Sequence, residues 1–465
     1  GIKRSVGAII SKELQPTITR EQKERLFKDI RAGGQINQFL VLIVFVFTIF
    51  IALNLNTFTK GIPETNMVMS RWCTIFFGIT FALSLSSGVY AGALIGAQLQ
   101  AQNSLYGLLS SLLATGIGVI LVYVGLSLYG VAIGSLIAAF YMFVQLRWRT
   151  VRLGFKLRLL RGPIEKSSMP KLLQLNGWIT LATIGGMMSL QTSQIILGMT
   201  PGLGMSAVNK FSLLITIPAL LQLEANRLST ILRPGLTQMY FSEKDSIKAD
   251  EVSFLLLKMV SLVSAAVFVS VWLLNGSFVT LWVGPEYYAG DLANLLASIL
   301  FSLLIWRFGF IVLLQMRFKY RRYGLASFGS GIINVVSALV LIREFGLLGV
   351  FISAIVAEIL VIIPFIVTHV LNQLSGKGSF LSTFMKIHWP PMLYITFWLI
   401  AGLNVNYRPE SWGQLVISSL FIGLTTFLLF KIWLWGDIRE HFYLREFEIL
   451  KSKLLRKLFG YIRMV

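Results

Sequence analysis

Twelve stretches of this chain are long and apolar enough, or nearly so, to cross a bilayer as helices. They fall at approximately 37–57, 72–95, 105–124, 127–147, 173–198, 206–232, 254–275, 293–315, 325–342, 346–370, 388–405 and 412–432. A crossing helix needs about 20 mostly apolar residues to span roughly 30 Å of hydrocarbon. Composition agrees. Of 465 residues, 55% are hydrophobic and 13% charged, and mean hydropathy is +0.75. A soluble domain carries about 25% charged residues, which argues against a soluble enzyme. The expected fold class is an all-α polytopic membrane protein.

The net charge of +21 would suggest nucleic acid in a soluble chain. In a membrane protein it first suggests cytoplasmic loops, where Lys and Arg accumulate, so no nucleic-acid partner is expected. With residues 1–36 on the cytoplasmic side, alternate loops and the tail from 431 hold 33 Lys and Arg, against four (Lys60, Arg71, Arg343 and Arg408) in the opposite loops. Both ends shown are therefore expected to be cytoplasmic, in a multi-pass inner-membrane protein. Residues 1–36 carry charges of both signs and no apolar core, unlike a signal peptide. In the tail, Tyr443, Phe447, Leu450, Leu454 and Leu458 recur at helical steps among Lys451, Lys453, Arg456 and Lys457. Such a helix suits an anionic lipid surface or the cytoplasmic loops equally. The single cysteine, Cys73, excludes an internal disulfide, and His369, His388 and His441 form no ligand motif. No metal, cofactor or catalytic residue is expected.

A shift of 217 residues brings Gln98 onto Gln315 and Tyr106-Gly107-Leu108 onto Tyr323-Gly324-Leu325. With two more residues, Gly130-Val131-Ala132-Ile133 meets Gly349-Val350-Phe351-Ile352. The second copy has six spans and the first shows four, so the first is expected to lack an opening pair. Six is even, so both copies enter the membrane alike, a common transporter plan of parallel lobes. The expected organisation is an N-terminal lobe at 1–158, a six-helix lobe at 159–374, an extra helix pair at 375–435 and a basic tail at 436–465.

The residues of the second lobe carry a family resemblance. Gly204-Met205-Ser206-Ala207-Val208-Asn209-Lys210 resembles the glycine-aromatic-small-Lys start of a span in the flippase superfamily of O-antigen (Wzx-type) flippases, the lipid II flippase and the multidrug and toxic-compound extrusion transporters. Ser206 stands where an aromatic is usual. Val283-Gly284-Pro285-Glu286-Tyr287-Tyr288-Ala289, Tyr323-Gly324 and Gly346-Leu347-Leu348-Gly349 complete the likeness, which fits the polysaccharide branch better than the drug-export branch. The resemblance implies two six-helix lobes around a central cavity, with the extra pair as in fourteen-helix members. It implies export of a polyprenyl-diphosphate-linked oligosaccharide, with membrane lipids, a polysaccharide polymerase and glycosyltransferases as partners.

Charges within spans are costly, by about 2.5 kcal/mol or more each. Lys210, Glu224, Arg227, Lys258, Arg307 and Glu358 lie there. Lys258 is close enough to a cytoplasmic end to be expected to snorkel. Lys210 and Glu224, nearly four turns apart, face alike, and Glu224 and Arg227 are spaced to pair. They read as a polar stripe toward cargo or as a neutralised packing pair. Arg307 faces either a diphosphate or the headgroups. Glu358 is a proton or cation site, or the partner of a neighbouring Ser or Arg; Glu224 and Glu358 are thus the coupling candidates. Gln191 and Gln194 suit sugar hydroxyls or helix–helix bonding equally. Pro218 removes a backbone donor and is a hinge candidate.

Several apparent motifs are discounted. Gly92-Ala93-Leu94-Ile95-Gly96 is a packing step, Gly329-Ser330-Gly331 is no nucleotide loop, and Asn275-Gly276-Ser277 is only formally a glycosylation site. Two rival functions remain: a cation-coupled drug exporter of the same superfamily, and a membrane polymerase or ligase. The short external loops, with Glu286 and Asp291 as the one close acidic pair, argue against the enzyme.

Overall fold

A computed structural model describes residues 20–55, 64–97, 99–152, 169–201, 203–241, 246–375, 379–405 and 408–437. The amphipathic tail and Lys60 lie outside them. Among the described residues the regular structure is helical throughout. The helices are α1 (Arg20–Leu53), α2 (Glu64–Gly96), α3 (Gln100–Leu121), α4 (Ser127–Arg152), α5 (Met169–Met199), α6 (Gly204–Phe241) and α7 (Ser246–Val283). They continue with α8 (Asp291–Met316), α9 (Tyr320–Phe345), α10 (Leu347–Ala357), α11 (Thr368–Ser375), α12 (Phe380–Val405) and α13 (Trp412–Trp433). π-helical segments join α3 to α4 (Val122–Leu126) and α10 to α11 (Glu358–Val367), so the latter run as one rod.

Every expected span falls on one of these rods. Many overrun their apolar stretch: α7, at 38 residues, is about 57 Å long at 1.5 Å per residue, and its ends must emerge from the hydrocarbon. Nine stretches among the described residues are long and apolar enough to cross a membrane, the paired α3 and α4 making one of them. The polar step from Gln191 to Gln194 and the His388, Pro390 and Pro391 positions dilute the apolar runs of α5 and α12.

The chain divides into two compact units whose sequence boundary, Gly177–Trp178, lies within α5. In the first, α2 packs on α1 and α4, and α3 on α4. Its core joins Ala32, Val89, Tyr90, Leu94, Leu146 and Leu172. In the second, α7 and α8 form the centre, with α6 on both and α9 against α10. Its core joins Phe211, Phe301, Phe351 and the apolar residues around them.

Polar groups inside lipid must be paired internally, and several are here paired between helices. Asn275 Nδ2 donates to the Leu214 carbonyl and to Asn294 Oδ1, both at 3.0 Å, and Asn294 donates on to the Val271 carbonyl at 3.1 Å. The formal glycosylation asparagine is thus a core crosslink of α6, α7 and α8. The helix pair α12–α13 is held against α7 and α8 of the same unit at three levels. Arg408 Nη2 meets Asp291 Oδ2 at 2.6 Å, the Ser261 hydroxyl meets His388 Nδ1, and Lys258 Nζ meets Asp437 Oδ2 at 2.5 Å. Near the first contact, burial and a hydrogen bond donated to Asp291 both push the Tyr288 phenol upward from its usual pKa. Lys258, expected to snorkel, pairs with Asp437, which follows α13, and its side chain is 14% exposed.

The proposed repeat has a local geometric counterpart. Ser127, opening α4, has φ 44° and ψ −128°, and Gly346, opening α10, has φ 57° and ψ −131°. These positions correspond once the two extra residues are counted. Three residues on, a Cβ added at Gly130 would lie 2.8 Å from the Val122 amide, and one added at Gly349 would lie 2.2 Å from the Leu341 carbonyl. Each hairpin therefore turns through a left-handed residue and then closes backbone to backbone. Glycine occupies this conformation in one copy and serine, which pays for its Cβ, in the other. Ser127→Gly should raise stability by about 1 kcal/mol, the lower end of the cost of a strained non-glycine residue. A thermal melt of the purified protein in detergent checks this, and an unchanged or lower midpoint contradicts it.

Candidate functional site

The site is built where α5 and α9 cross. A Cβ on Gly185 would sit 2.2 Å from the Ser327 carbonyl oxygen, and one on Gly331 would sit 2.6 Å from the Gly185 carbonyl. Backbones can approach this closely only where side chains are absent. Gly331 is thus a packing residue, consistent with discounting the Gly329-Ser330-Gly331 run as a loop. Beside the crossing, Asn334 is fully buried and its amide donates to the Ser189 carbonyl at 2.5 Å and to Ser193 Oγ at 3.1 Å.

Next to this seam lie two small cavities in the second unit, of about 140 and 90 Å³. The larger is lined by Ser189 of α5, Gln222 and Asn226 of α6, Arg307 and Phe308 of α8, and Tyr323 and Ser327 of α9, with Ala182, Gly186, Leu304 and Ile311. The smaller shares Gly186, Ser189, Gln222, Leu304 and Arg307 and adds Leu300, Ala354 and Glu358. Arg307 Nη1 meets Glu358 Oε1 at 2.7 Å, with side chains 16% and 3% exposed. The second carboxylate oxygen, Oε2, is buried and has no hydrogen-bond partner among the described residues, and the same is true of Asn226 Oδ1.

Glu358 opens the π-helical segment that contains Pro364. Proline cannot supply the donor a regular α-helix needs and crowds the preceding turn; a wider π turn accommodates this. Two carbonyls at and after the proline accept from side chains: the Thr368 hydroxyl donates to the Pro364 carbonyl and Arg322 to the Phe365 carbonyl at 3.4 Å.

Of the residues singled out in the sequence, Arg307 and Glu358 are brought together. Glu224 and Arg227 pair at 2.6 Å as their spacing suggested, but with side chains 62% and 60% exposed. They do not line the cavities; Gln222 and Asn226, on another face of α6, do. Lys210 is half-buried and Pro218 buried, within an α6 that continues past both Pro218 and Pro234. Gln191 is exposed and Gln194 half-buried. Sequence reasoning missed Gln222, Asn226, Ser189, Ser327 and Tyr323. A usable signal existed for two of them, since Gln222 and Asn226 are amides four residues apart in an apolar span. Among the described residues no group of three or more His, Cys, Asp or Glu forms a metal set.

No protein-family model and no curated protein sequence matches the chain. Solved structures do. The chain is similar to the lipid II flippase MurJ in its inward closed conformation, with TM-score 0.60 and 14% identity over 94% of this chain and 90% of that one. It is also similar to the Vibrio cholerae MATE transporter VcmN in its bent form, with TM-score 0.55 and 13% identity over 84% and 86% of the two chains. A mutant of the same transporter aligns with TM-score 0.56 over 78% of this chain. At such identities the likeness is one of fold. The chain is a multi-pass helical membrane protein whose fold is similar to that of these flippase and MATE transporter structures.

Proposed function

We propose that this protein is a flippase that carries a polyprenyl-diphosphate-linked oligosaccharide from the cytoplasmic to the outer leaflet of a bacterial inner membrane by alternating access. The product would feed a surface polysaccharide of the O-antigen kind. One observation carries the reading: a nearly buried arginine, paired with Glu358, lines cavities whose other polar walls include the neutral amides and hydroxyls of Gln222, Asn226, Ser189 and Ser327. An anionic diphosphate loses much hydration in low dielectric and needs a fixed cation. A guanidinium matches phosphate oxygens in a bidentate fork. Amides and hydroxyls match sugar hydroxyls. Lys210 and Arg227 of α6, which line neither cavity, are in this reading further cations that the cargo meets elsewhere on its route. Similarity of fold to a lipid II flippase supports a lipid-linked cargo. Both ends of the sequence face the cytoplasm in this reading, from the distribution of Lys and Arg, and the enzymes that build and polymerise such cargo are its partners. Similarity to a MATE transporter supports the second reading, a cation-coupled exporter of small molecules.

The test is transbilayer movement of undecaprenyl-diphosphate oligosaccharide by the full chain in proteoliposomes, beside ethidium as a cationic drug. The lipid-linked sugar should move and ethidium should not. Combining Lys210→Glu with Arg227→Glu should slow the lipid-linked cargo at least about tenfold, equivalent to 1.4 kcal/mol on the barrier, at unchanged protein content. Movement of ethidium alone would replace this reading with the exporter.

A further inference from the structure

We propose that Arg307 and Glu358 form an exchange pair: the diphosphate of the cargo takes Arg307 from Glu358, and the released carboxylate takes up a proton. The inference rests on the flippase reading and assigns the coupling step of that same site.

Three observations support it. First, the pair spans the cavity wall. Arg307 lines both cavities, while Glu358 lines only the smaller one. An anion entering the larger cavity therefore reaches the guanidinium without first meeting the carboxylate. Second, the pair is half satisfied. Glu358 Oε1 holds Arg307 at 2.7 Å, whereas Oε2 has no partner among the described residues. A partner-poor carboxylate is the more easily displaced ligand of a guanidinium, and a buried oxygen without a partner is where a proton can be carried. Third, Glu358 begins a π-helical segment interrupted by Pro364. Glu358 keeps an α-helical N–H bond to the Ala354 carbonyl, and the change from α to π register begins on its C-terminal side.

The energetics make the two events one. Separated from Arg307, an ionised Glu358 would be a buried, unpaired charge, and burial disfavours the charged form strongly. Protonation removes that cost. The step needs only one proton from water: the Arg307–Glu358 ion pair is exchanged for an Arg307–phosphate ion pair, and the carboxylate becomes a neutral acid. Release of the cargo reverses it. The ionisable groups lining the two cavities are Arg307 from α8, Tyr323 from α9 and Glu358 itself; α5, α6 and α10 contribute neutral residues there. No second carboxylate from these walls competes for the proton.

The experiment measures binding of undecaprenyl diphosphate, and separately of inorganic pyrophosphate, to the purified full chain in nanodiscs, recording proton uptake in weak buffer near neutral pH. Because a diphosphate itself titrates, the readout is the difference between the wild type and Glu358→Gln. The wild type should take up about one proton more per lipid bound, and the variant should bind at least about tenfold more tightly, since an internal charge-assisted competitor has gone. Infrared difference spectra of the wild type should show a carboxylic acid carbonyl appearing with the ligand, a readout that needs no variant. Arg307→Gln should lose binding. If pyrophosphate alone produces the effect, the site recognises the diphosphate without its lipid, and the exchange stands. Binding without extra proton uptake or an acid band overturns the exchange pair and leaves the flippase reading intact. Failure of the wild type to bind the lipid overturns both.

Discussion

Arg307→Met should be among the most damaging single changes in the second unit, and adding Glu358→Leu should largely undo the damage to folding. Glu358 is 3% exposed and Arg307 is its ion-pair partner. Removing the cation leaves a buried carboxylate to be protonated or to drag in water, which costs about 3–5 kcal/mol. Replacing both charges with apolar side chains of similar length removes that cost and often leaves stability near its starting value. The reverse deletion should be milder. Arg307 is 16% exposed and faces two cavities with Gln222, Asn226 and Ser189 at their walls, so an unpaired guanidinium keeps hydrogen-bond acceptors. The expected order of membrane abundance and melting temperature is wild type, close to the double variant, then Glu358→Gln, then Arg307→Met. Transport should be lost in both variants that lack Arg307. A double variant as unstable as Arg307→Met would mean that the pair is not what the surrounding helices are built around.

Gly185→Leu should prevent the second unit from assembling, and Gly185→Ala should already be severe. The added Cβ would meet the Ser327 carbonyl at 2.2 Å and Phe328 Cα at 2.6 Å, both backbone atoms that cannot turn aside. α5 and α9 would have to separate, breaking the bonds from Asn334 to Ser189 and Ser193. Overpacking of this kind costs about 1–3 kcal/mol or more, and lost bonds from a buried amide add to it. Gly177, in the same helix, has nothing within 4 Å of an added Cβ. Gly177→Ala therefore controls for composition and should be neutral or slightly stabilising. Equal behaviour of the two alanine variants in abundance and melting would show that the α5–α9 crossing tolerates a side chain after all.

The helices themselves were almost entirely legible in the sequence. Hydropathy marks a span from composition within one stretch, so a run such as 37–57 is recognised without knowledge of its neighbours. The run ending near Val124 and the one beginning at Ser127 could be separated by Gly125-Leu126-Ser127 alone. The spacing of Glu224 and Arg227 likewise predicted their pairing, because an i,i+3 contact is fixed by helical geometry. A shared helix did not by itself say which face lines these cavities: Glu224 and Arg227 are exposed, whereas Gln222 and Asn226 line the larger one.

From the order of residues alone follow an all-helical membrane chain, its approximate span boundaries, the charge asymmetry between alternate loops and the proposal of an internal repeat, at whose corresponding positions Ser127 and Gly346 share one backbone conformation. Each of these is a local property, or a sum of local ones. The meetings of Arg307 with Glu358 and of Lys258 with Asp437, and the crosslinks made by Asn275 and Asn334, became visible only in the folded chain. These residues lie on different helices, and their meeting depends on which helices are neighbours and how each is rotated about its axis. Most helices here are apolar on nearly every face, so a hydrophobic stripe cannot announce that rotation. Close glycine crossings and buried polar pairs set it instead.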